Sequence, residues 1–187
     1  MVQTPTQLLT LEAFLQLPET KPASEFINGQ VTQKPMPQGE HSVLQGELVS
    51  GVNAVAKTAK VAHAFPELRC VFGGAAIVPD VSVFRWHRIP RTSAGRVANR
   101  FEIPPNWAIE ILSPDQSQTQ VLAKLLHCME QGTELGWLLD PENETVLTIF
   151  PEMRVKLYQG TEPLLVLQNI DLTLLAAEIF SWLALPE

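Results

Sequence analysis

Two short apolar runs, each with a single acidic residue, place the strongest constraint on how this chain of 187 residues can fold. The runs extend from 75 to 84 and from 107 to 112, and they contain Asp80 and Glu110 respectively. Runs of this length that are rich in Val and Ile and end at Gly, Pro or Ser are typical of buried strands. Because burying a carboxylate is costly unless it is paired or binds a metal, each acid needs a partner.

The partners of these acids are open to two interpretations from spacing alone. In the first, Asp80 caps a turn after Pro79 and Glu110 pairs with an arginine, since ion-pair networks also hold such acids. In the second, the two carboxylates meet at a functional site. Proline cannot donate a hydrogen bond to a β-ladder, so this strand is expected to lie at an edge, to be bulged, or to start at Pro79. That irregularity would allow Asp80 to face a cleft.

The charges are unevenly distributed along the chain. A net charge of −7 argues against tight, indiscriminate binding of nucleic acid by charge alone. However, residues 85–100 include no Asp or Glu. This arginine segment lies within a proline-containing stretch that predicts a long loop, and such loops are usually functional or mobile. It could hold phosphates or be a solvated loop. Its arginines are Arg85, Arg88, Arg91, Arg96 and Arg100.

The length, the cysteines and the apolar stretches of the chain predict a globular protein of the cytoplasm. No apolar stretch is long enough to span a bilayer, and residues 1–9 show no export signal. Cys70 and Cys128 lack the spacing of metal ligands and fit a reduced compartment. A length of 187 residues fits one domain with a real core.

Hydrophobic periodicity predicts an interleaved order of helix, hairpin, long helix, strands, helix, strands and helix. Such interleaving is typical of a single α/β or α+β domain. The Asn28-Gly29 pair between apolar residues is the strongest short hairpin signal. Elements with predicted bounds are a short helix capped by Thr10, a helix over about 39–60 with Val55 and Ala59 on its buried face, a single strand over 75–84, a central strand over 107–112, a helix ending near 131, a further strand at 164–167 and a closing helix over 172–183.

Four polar residues outside the two runs are candidates for a site. Glu25 begins the first strand of the hairpin, where a lone Glu is usually exposed. His41 and Gln45 share one side of the long helix, although a lone His there is more often a structural hydrogen-bonding group than a ligand. Lys124 lies outside the centre of its helix's apolar stripe. On its own it is expected to be solvated, but its long stem could reach back along the sheet.

Considered together, these residues predict a metal-assisted hydrolase. Carboxylates from adjacent strands can converge at one sheet edge, and hard oxygen ligands suit Mg²⁺ or Mn²⁺. Glu25, Asp80 and Glu110 could supply such carboxylates, with the backbone carbonyl of Ile111 as a further ligand. Lys124 could position an attacking water and stabilise negative charge in a phosphoryl transition state. Such a site would cleave a phosphodiester.

The order and spacing of four segments resemble a known family, although no single motif is specific. These segments are 25–29, 78–83, 108–114 and 124–141. Together they resemble the bacterial family of uncharacterised, restriction-endonuclease-like proteins within the PD-(D/E)XK nuclease superfamily, from about residue 8 to 180. The resemblance implies a single domain over 1–187 with a restriction-endonuclease-like core, in which helices flank a mixed central sheet. It also implies Mg²⁺-dependent cleavage of DNA.

The resemblance assigns roles to individual residues. Asp80 resembles the acid of the "PD" element, Glu110 the second metal-binding acid, and Glu25 the acid just before the family's early hairpin. His41 matches a histidine early in the long helix, and Lys124 stands where this family has a lysine on the following helix. The chain departs from the usual pattern at several positions, which are Asn28, Leu112 in place of the superfamily's lysine, Gln120, Cys128 and Gly136.

The preferred hypothesis is therefore a cytoplasmic, Mg²⁺-dependent DNA endonuclease, in which Asp80 and Glu110 bind the ion and Glu25 acts directly or through water. A homodimer is expected, since cutting two strands needs two sites and most homo-oligomers are C₂ dimers. The departures at Gln120 and Cys128 motivate a second hypothesis, in which the fold binds nucleic acid or a protein partner with little or no turnover. A third is a phosphodiesterase that acts on RNA or a small nucleotide.

Overall fold

The computed structural model describes residues 9–114 and 116–184. Short helical segments lie at Asn53–Lys57, which is a π-helical turn, and at Trp86–Arg88 and Pro151–Met153, which are 3₁₀ turns. The main elements, in chain order, are α1 (Leu11–Leu15), β1 (Ser24–Ile27), β2 (Gln30–Gln33), α2 (Gly39–Val52), β3 (Ala62–Pro66), β4 (Cys70–Phe72), β5 (Ala75–Ile77), β6 (Val81–Arg85), β7 (Trp107–Ile111), α3 (Gln118–Glu130), β8 (Leu135–Asp140), β9 (Thr145–Ile149), β10 (Val155–Tyr158) and α4 (Ala176–Ser181).

A six-stranded mixed sheet forms the centre of the molecule, with the strand order β10-β9-β8-β7-β6-β3. Strands β7 and β8 are parallel, whereas the neighbouring pairs are antiparallel. Successive residues of β7 point to opposite faces, so Ile109 packs in a core with α2 and α4, while Ala108 packs in a core with α3. Helices therefore flank a mixed central sheet, which confirms the predicted fold class.

A smaller four-stranded sheet, with the order β2-β1-β5-β4, lies beside the central one. Its β1–β2 hairpin turns at Asn28 and Gly29, whose φ angles of 52° and 79° are both in the left-handed region. A two-residue turn of this kind suits the right-handed twist of the strands, and it confirms the predicted hairpin. The hairpin joins β5 through the pairing of Phe26 with Ala76.

The prediction of a single strand over residues 75–84 is wrong. The chain leaves the small sheet after β5 and enters the central sheet at β6, with Val78, Pro79 and Asp80 between them. Pro79 has no backbone N–H to extend a ladder, so the break falls at the proline. Hydrophobicity did not reveal it, because both short strands and Val78 are buried. As a result, Asp80 stands at the junction of the two sheets.

The first helix agrees with its prediction, whereas the long helix and the strand predicted at 164–167 do not. Thr10 caps α1 as predicted, since its Oγ1 accepts the backbone N–H of Ala13 at 3.2 Å. The π-turn after α2 has more residues per turn than an α-helix. The fully buried position that follows Val52 is therefore Ala56, and the predicted Ala59 is exposed. Residues 164–167 do not form a strand, although Leu164 and Leu167 pack against the core from an irregular segment.

The closing helix is shorter than the predicted span of 172–183, because α4 begins only at Ala176. Leu174 is nevertheless buried before the helix starts, so apolar spacing in this region marks contact with the core rather than helical structure. Among residues 9–114 and 116–184, none of the helices combines the length and apolar character that a membrane span requires.

Candidate active site

Five charged side chains from separate parts of the chain form one buried group, which we call the carboxylate–lysine cluster. Its members are Glu25 on β1, Lys34 just after β2, Asp80 just before β6, Glu110 on β7 and Lys124 on α3. Their exposed fractions are 7%, 8%, 2%, 1% and 4%. Buried charges of this kind are rare unless they are paired, so their contacts decide what the cluster can do.

Lys124 joins two carboxylates that come from different sheets. Its Nζ lies 2.8 Å from Glu110 Oε2 and donates to both oxygens of Glu25, at 3.0 and 3.1 Å. Glu25 Oε1 also accepts the backbone N–H of Val78 at 2.7 Å. The expectations of an exposed Glu25 and a solvated Lys124 are therefore wrong, because each side chain finds its opposite charge inside the protein.

Asp80 is held by partners on three sides. Its Oδ1 lies 2.5 Å from Lys34 Nζ and 3.2 Å from His41 Nε2, while its Oδ2 accepts the backbone N–H of Ile111 at 2.7 Å. Gln45 Nε2 donates to the backbone carbonyl of Asp80 at 2.8 Å. Two side chains four residues apart on α2 thus contact the same residue, and Ile111 brings Asp80 next to Glu110.

The surroundings shift the pKa values of these groups in opposite directions. Burial alone would raise the pKa of Asp80, but the Lys34 ammonium and His41 hold it well below its usual range. Burial raises the pKa of Glu110 to about 8, which Lys124 only partly offsets. Burial disfavours the Lys124 ammonium, yet Glu110 and Glu25 outweigh this and raise its pKa. Two carboxylates in one cluster therefore differ strongly in acidity, as is common at functional sites.

Glu110 carries an oxygen that is poorly satisfied. Its Oε2 meets Lys124, but its Oε1 is buried and has no hydrogen-bond partner among the described residues. The alternative in which Glu110 pairs with an arginine is wrong, since its cationic partner is a lysine. A buried carboxylate oxygen without a donor is costly, and it is the hard kind of ligand that Mg²⁺ or Mn²⁺ prefers. The donor set therefore fits such an ion.

The carboxylates are arranged around ammonium groups rather than around an open centre. Within residues 9–114 and 116–184, no three His, Cys, Asp or Glu side chains are grouped as a ready-made metal site. Lys124 lies between Glu25 and Glu110, and Lys34 lies on Asp80. An ion that bound here would have to share the carboxylates with these lysines.

Two cavities border the cluster. One, of about 470 Å³, is lined by Glu25, Lys124 and Gln120 among others. Another, of about 980 Å³, is lined by residues that include His41 and Leu112. Lys124 thus lines one cavity and His41 the other, and Gln116 lines both. The departures at Asn28, Gln120 and Leu112 lie in these cavity walls, whereas Cys128 is fully buried in the core under α3.

Arg85, the first residue of the arginine segment, is not part of this cluster. It ends β6, five residues beyond Asp80, which corresponds to about 16 Å along an extended strand. Its Nε and Nη2 donate to the two carboxylate oxygens of Glu134, at 2.8 and 2.5 Å. Arg91 lies over the ring of Trp86, with its guanidinium 5.4 Å from the ring centroid. Of the remaining arginines, Arg88 is half-buried, and Arg96 and Arg100 are exposed.

Sequence reasoning missed Lys34. The hairpin register offers a signal that could have found it, since Glu25 pairs with Thr32 and the backbone N–H of Lys34 donates to the carbonyl of Ala23 at 2.9 Å. Paired residues share a face of a sheet, and so do residues two apart on a strand. Lys34, two residues beyond Thr32, is therefore on the same face as Glu25.

Comparisons with known proteins agree with this fold. The model of the Uma2 family, described as "Putative restriction endonuclease", matches residues 11–184. A crystal structure titled as a "putative nuclease belonging to DUF820" from Anabaena variabilis ATCC 29413 is 50% identical in sequence, with a TM-score of 0.92 over 94% of this chain and 99% of that one. None of the curated proteins matches at a significant level. The family match spans most of the chain, which therefore belongs to the Uma2 family of restriction-endonuclease-like proteins.

Proposed function

We propose that this protein is a metal-dependent endonuclease that hydrolyses phosphodiester bonds in DNA. The observation that supports the proposal is the burial of Glu25, Asp80 and Glu110 in one cluster with Lys124, beside cavities that can admit a substrate. The family description supports DNA as the substrate class. Stability alone is a weak reason to keep such a cluster, since buried ion pairs are often no more stabilising than well-packed apolar residues.

Asp80 and Glu110 are the residues proposed to hold Mg²⁺ or Mn²⁺, with the backbone carbonyl of Ile111 as a further ligand. Glu110 Oε1, which has no hydrogen-bond partner among the described residues, supports this role, because a cation would satisfy it. When bound, the ion would supply Lewis-acid stabilisation of charge on the phosphate. The fixed position of Asp80, which is held by His41 and by the Ile111 N–H, would keep one ligand oriented.

Lys124 is the group proposed to orient an attacking water or to stabilise charge that develops on the phosphate. Its ammonium remains protonated, since Glu110 and Glu25 raise its pKa. Because it lines a cavity while being 4% exposed, its charge acts in a largely dry environment, where such interactions are strongest. Glu25 positions Lys124 and is itself fixed by the Val78 N–H. Glu25, His41 and Gln45 are therefore proposed as positioning residues.

A nuclease assay with a matched pair of variants tests this proposal. Supercoiled plasmid, linear duplex, single-stranded DNA and RNA would be incubated with Mg²⁺ or Mn²⁺, and with EDTA as the metal-free control. We expect Glu110→Gln to lower the cleavage rate by roughly 100-fold or more, because it removes the charge of a proposed ligand. Glu134→Gln is the control, since it makes the same chemical change at a carboxylate outside the cluster. Equal rates for Glu110→Gln and the wild type would contradict the proposal.

A second candidate is a nuclease-fold module that binds nucleic acid or a protein partner without turnover. The contact of Lys34 with Asp80 favours it, because that lysine already neutralises a proposed ligand. Measuring binding of the same oligonucleotides by fluorescence anisotropy separates the two candidates. Retained DNA binding with no cleavage in either metal would favour the module, and cleavage of RNA alone would favour a ribonuclease. The expected homodimer stays a prediction that light scattering of the purified protein would check.

A further inference from the structure

Lys34 is a second buried ammonium in the cluster, and neither the family motifs nor the proposed chemistry gives it a role. It follows the β1–β2 hairpin and is 8% exposed. Its Nζ lies 2.5 Å from Asp80 Oδ1 and donates to the backbone carbonyl of Val78 at 2.9 Å. The backbone of Lys34 is fixed by its own hydrogen bond to Ala23. The ammonium is therefore a cation on a flexible stem, held against a proposed metal ligand.

The two proposed ligands differ in how their oxygens are used. On Asp80, Oδ1 contacts Lys34 and His41, and Oδ2 accepts the Ile111 N–H. On Glu110, one oxygen contacts Lys124 and the other lacks a partner among the described residues. An incoming cation could thus contact Glu110 without displacing a group, whereas at Asp80 it would compete with the ammonium of Lys34.

The charges in the cluster point the same way. Lys34 supplies one of the two ammonium groups in the cluster, and this ammonium lies against Asp80, a proposed ligand. Because like charges at close range repel strongly in a buried site, Lys34 opposes the entry of a divalent cation.

We propose that Lys34 is a tethered cation that a divalent ion must displace from Asp80, so that this lysine sets the ion concentration at which the site fills. The inference rests on the proposed function, since it assumes that Asp80 is a metal ligand. Displacement breaks the contact of Nζ with Asp80 Oδ1 and requires the side chain of Lys34 to swing away. Lys34 is thus a residue that controls metal occupancy rather than one that touches the reacting phosphate.

Calorimetric titration of the metal-free full-length protein with Mn²⁺ tests the proposal. We expect Lys34→Met to bind Mn²⁺ at least 10-fold more tightly than the wild type, because a competing positive charge is removed. Lys156→Met is the matched control, since Lys156 is an exposed lysine that pairs with Glu162. It should leave Mn²⁺ affinity unchanged. Asp80→Asn should weaken binding, both alone and combined with Lys34→Met.

Lys34→Met leaves Asp80 short of a buried partner and could impair folding. Lys34→Gln provides a second test, since it removes the charge but keeps a hydrogen-bond donor. For both variants, thermal unfolding should show that Mn²⁺ raises Tm more than it does for the wild type, because the ion replaces the missing cation.

The outcomes distinguish this inference from the proposed function. If both Lys34 variants bind Mn²⁺ no more tightly than the wild type, while Asp80→Asn weakens binding, the role of Lys34 is overturned and the metal site stands. If neither the wild type nor either Lys34 variant binds Mn²⁺, the proposed metal site and the role of Lys34 both fail. Tighter binding by both variants, lost again with Asp80→Asn, supports both.

Discussion

The two ends of β6 and β7 carry ion pairs of very different character. At one end, Asp80 and Glu110 are buried with two lysines in the carboxylate–lysine cluster. At the other end, Arg85 pairs with Glu134, and their side chains are 16% and 39% exposed. The same strands therefore hold one group of charges in the interior and another at the surface. The comparison separates charges that a fold keeps at a cost from charges that it places at little cost.

The surface pair has a structural explanation. Asn106 donates to Glu134 Oε1 at 2.6 Å and accepts the backbone N–H of Arg85 at 2.9 Å, so the network fixes the beginning of β7 against the end of β6. The cluster has no equally simple explanation, because apolar residues could join the two sheets without desolvating five charges. This contrast favours a chemical role for the charges at the buried end.

The largest expected difference between the two ends is in the free energy of unfolding. Asp80→Ala leaves the Lys34 ammonium buried without its carboxylate and removes the acceptor of the Ile111 N–H. Breaking a buried pair in this way costs about 3–5 kcal/mol. Glu134→Ala, which leaves only a partly exposed arginine unpaired, should cost about 1 kcal/mol. Urea denaturation of the two variants measures both. Equal losses would show that burial does not distinguish the two ends.

The next effect is a pH dependence that should exist only at the buried end. The pKa of Glu110 is raised to about 8, so the folded protein holds a proton that the unfolded chain releases near the ordinary value of 4.5. Stability should therefore fall as the pH rises from about 5 to 8, because the buried carboxyl has to lose its proton over that range. Glu110→Gln should remove this slope.

Glu134 provides the matched control for that experiment. Hydrogen bonding to Arg85 lowers its pKa, so the stability of its pairing is present above its ordinary pKa and is lost only in acid. Glu134→Gln should therefore leave the slope between pH 5 and 8 unchanged. Denaturation midpoints across this pH range, for the wild type and both variants, give the comparison. A slope that survives Glu110→Gln would show that Glu110 is ionised throughout.

The sequence was sufficient to predict those parts of the cluster that strand order determines. Asp80 and Glu110 each sit in a short apolar run, and the antiparallel pairing of β6 with β7 brings the two runs side by side. It was insufficient to predict the contacts that depend on how the small four-stranded sheet packs beside the central sheet. The burial of Glu25, Lys34 and Lys124 depends on that docking, and Glu25 and Lys124 are 99 positions apart.

The strand break at Pro79 illustrates a different limit. The proline indicated an irregularity in the run 75–84, but apolar character on both sides concealed the fact that the chain changes sheets there. A residue at such a junction is not confined to one face, which explains why Asp80 contacts α2, the β1–β2 hairpin and β7 together. Local periodicity describes faces of regular strands, and this site lies where regularity ends.

The smallest expected effects lie within the arginine segment, where one arginine should affect mainly stability and another mainly DNA binding. Arg85→Ala removes a two-point contact with Glu134 and should cost about 1 kcal/mol of stability, but it should not alter DNA binding, because that guanidinium is already engaged.

Arg91→Ala loses only an exposed contact with Trp86, worth about 0.5 kcal/mol. If Arg91 contacts a phosphate, the slope of log affinity against log salt should become shallower by about 1. Anisotropy titrations of labelled duplex at several NaCl concentrations measure this slope. If Arg85→Ala flattened it as much as Arg91→Ala, the Glu134 pair would have to open on binding, and the surface end would then be more than structural.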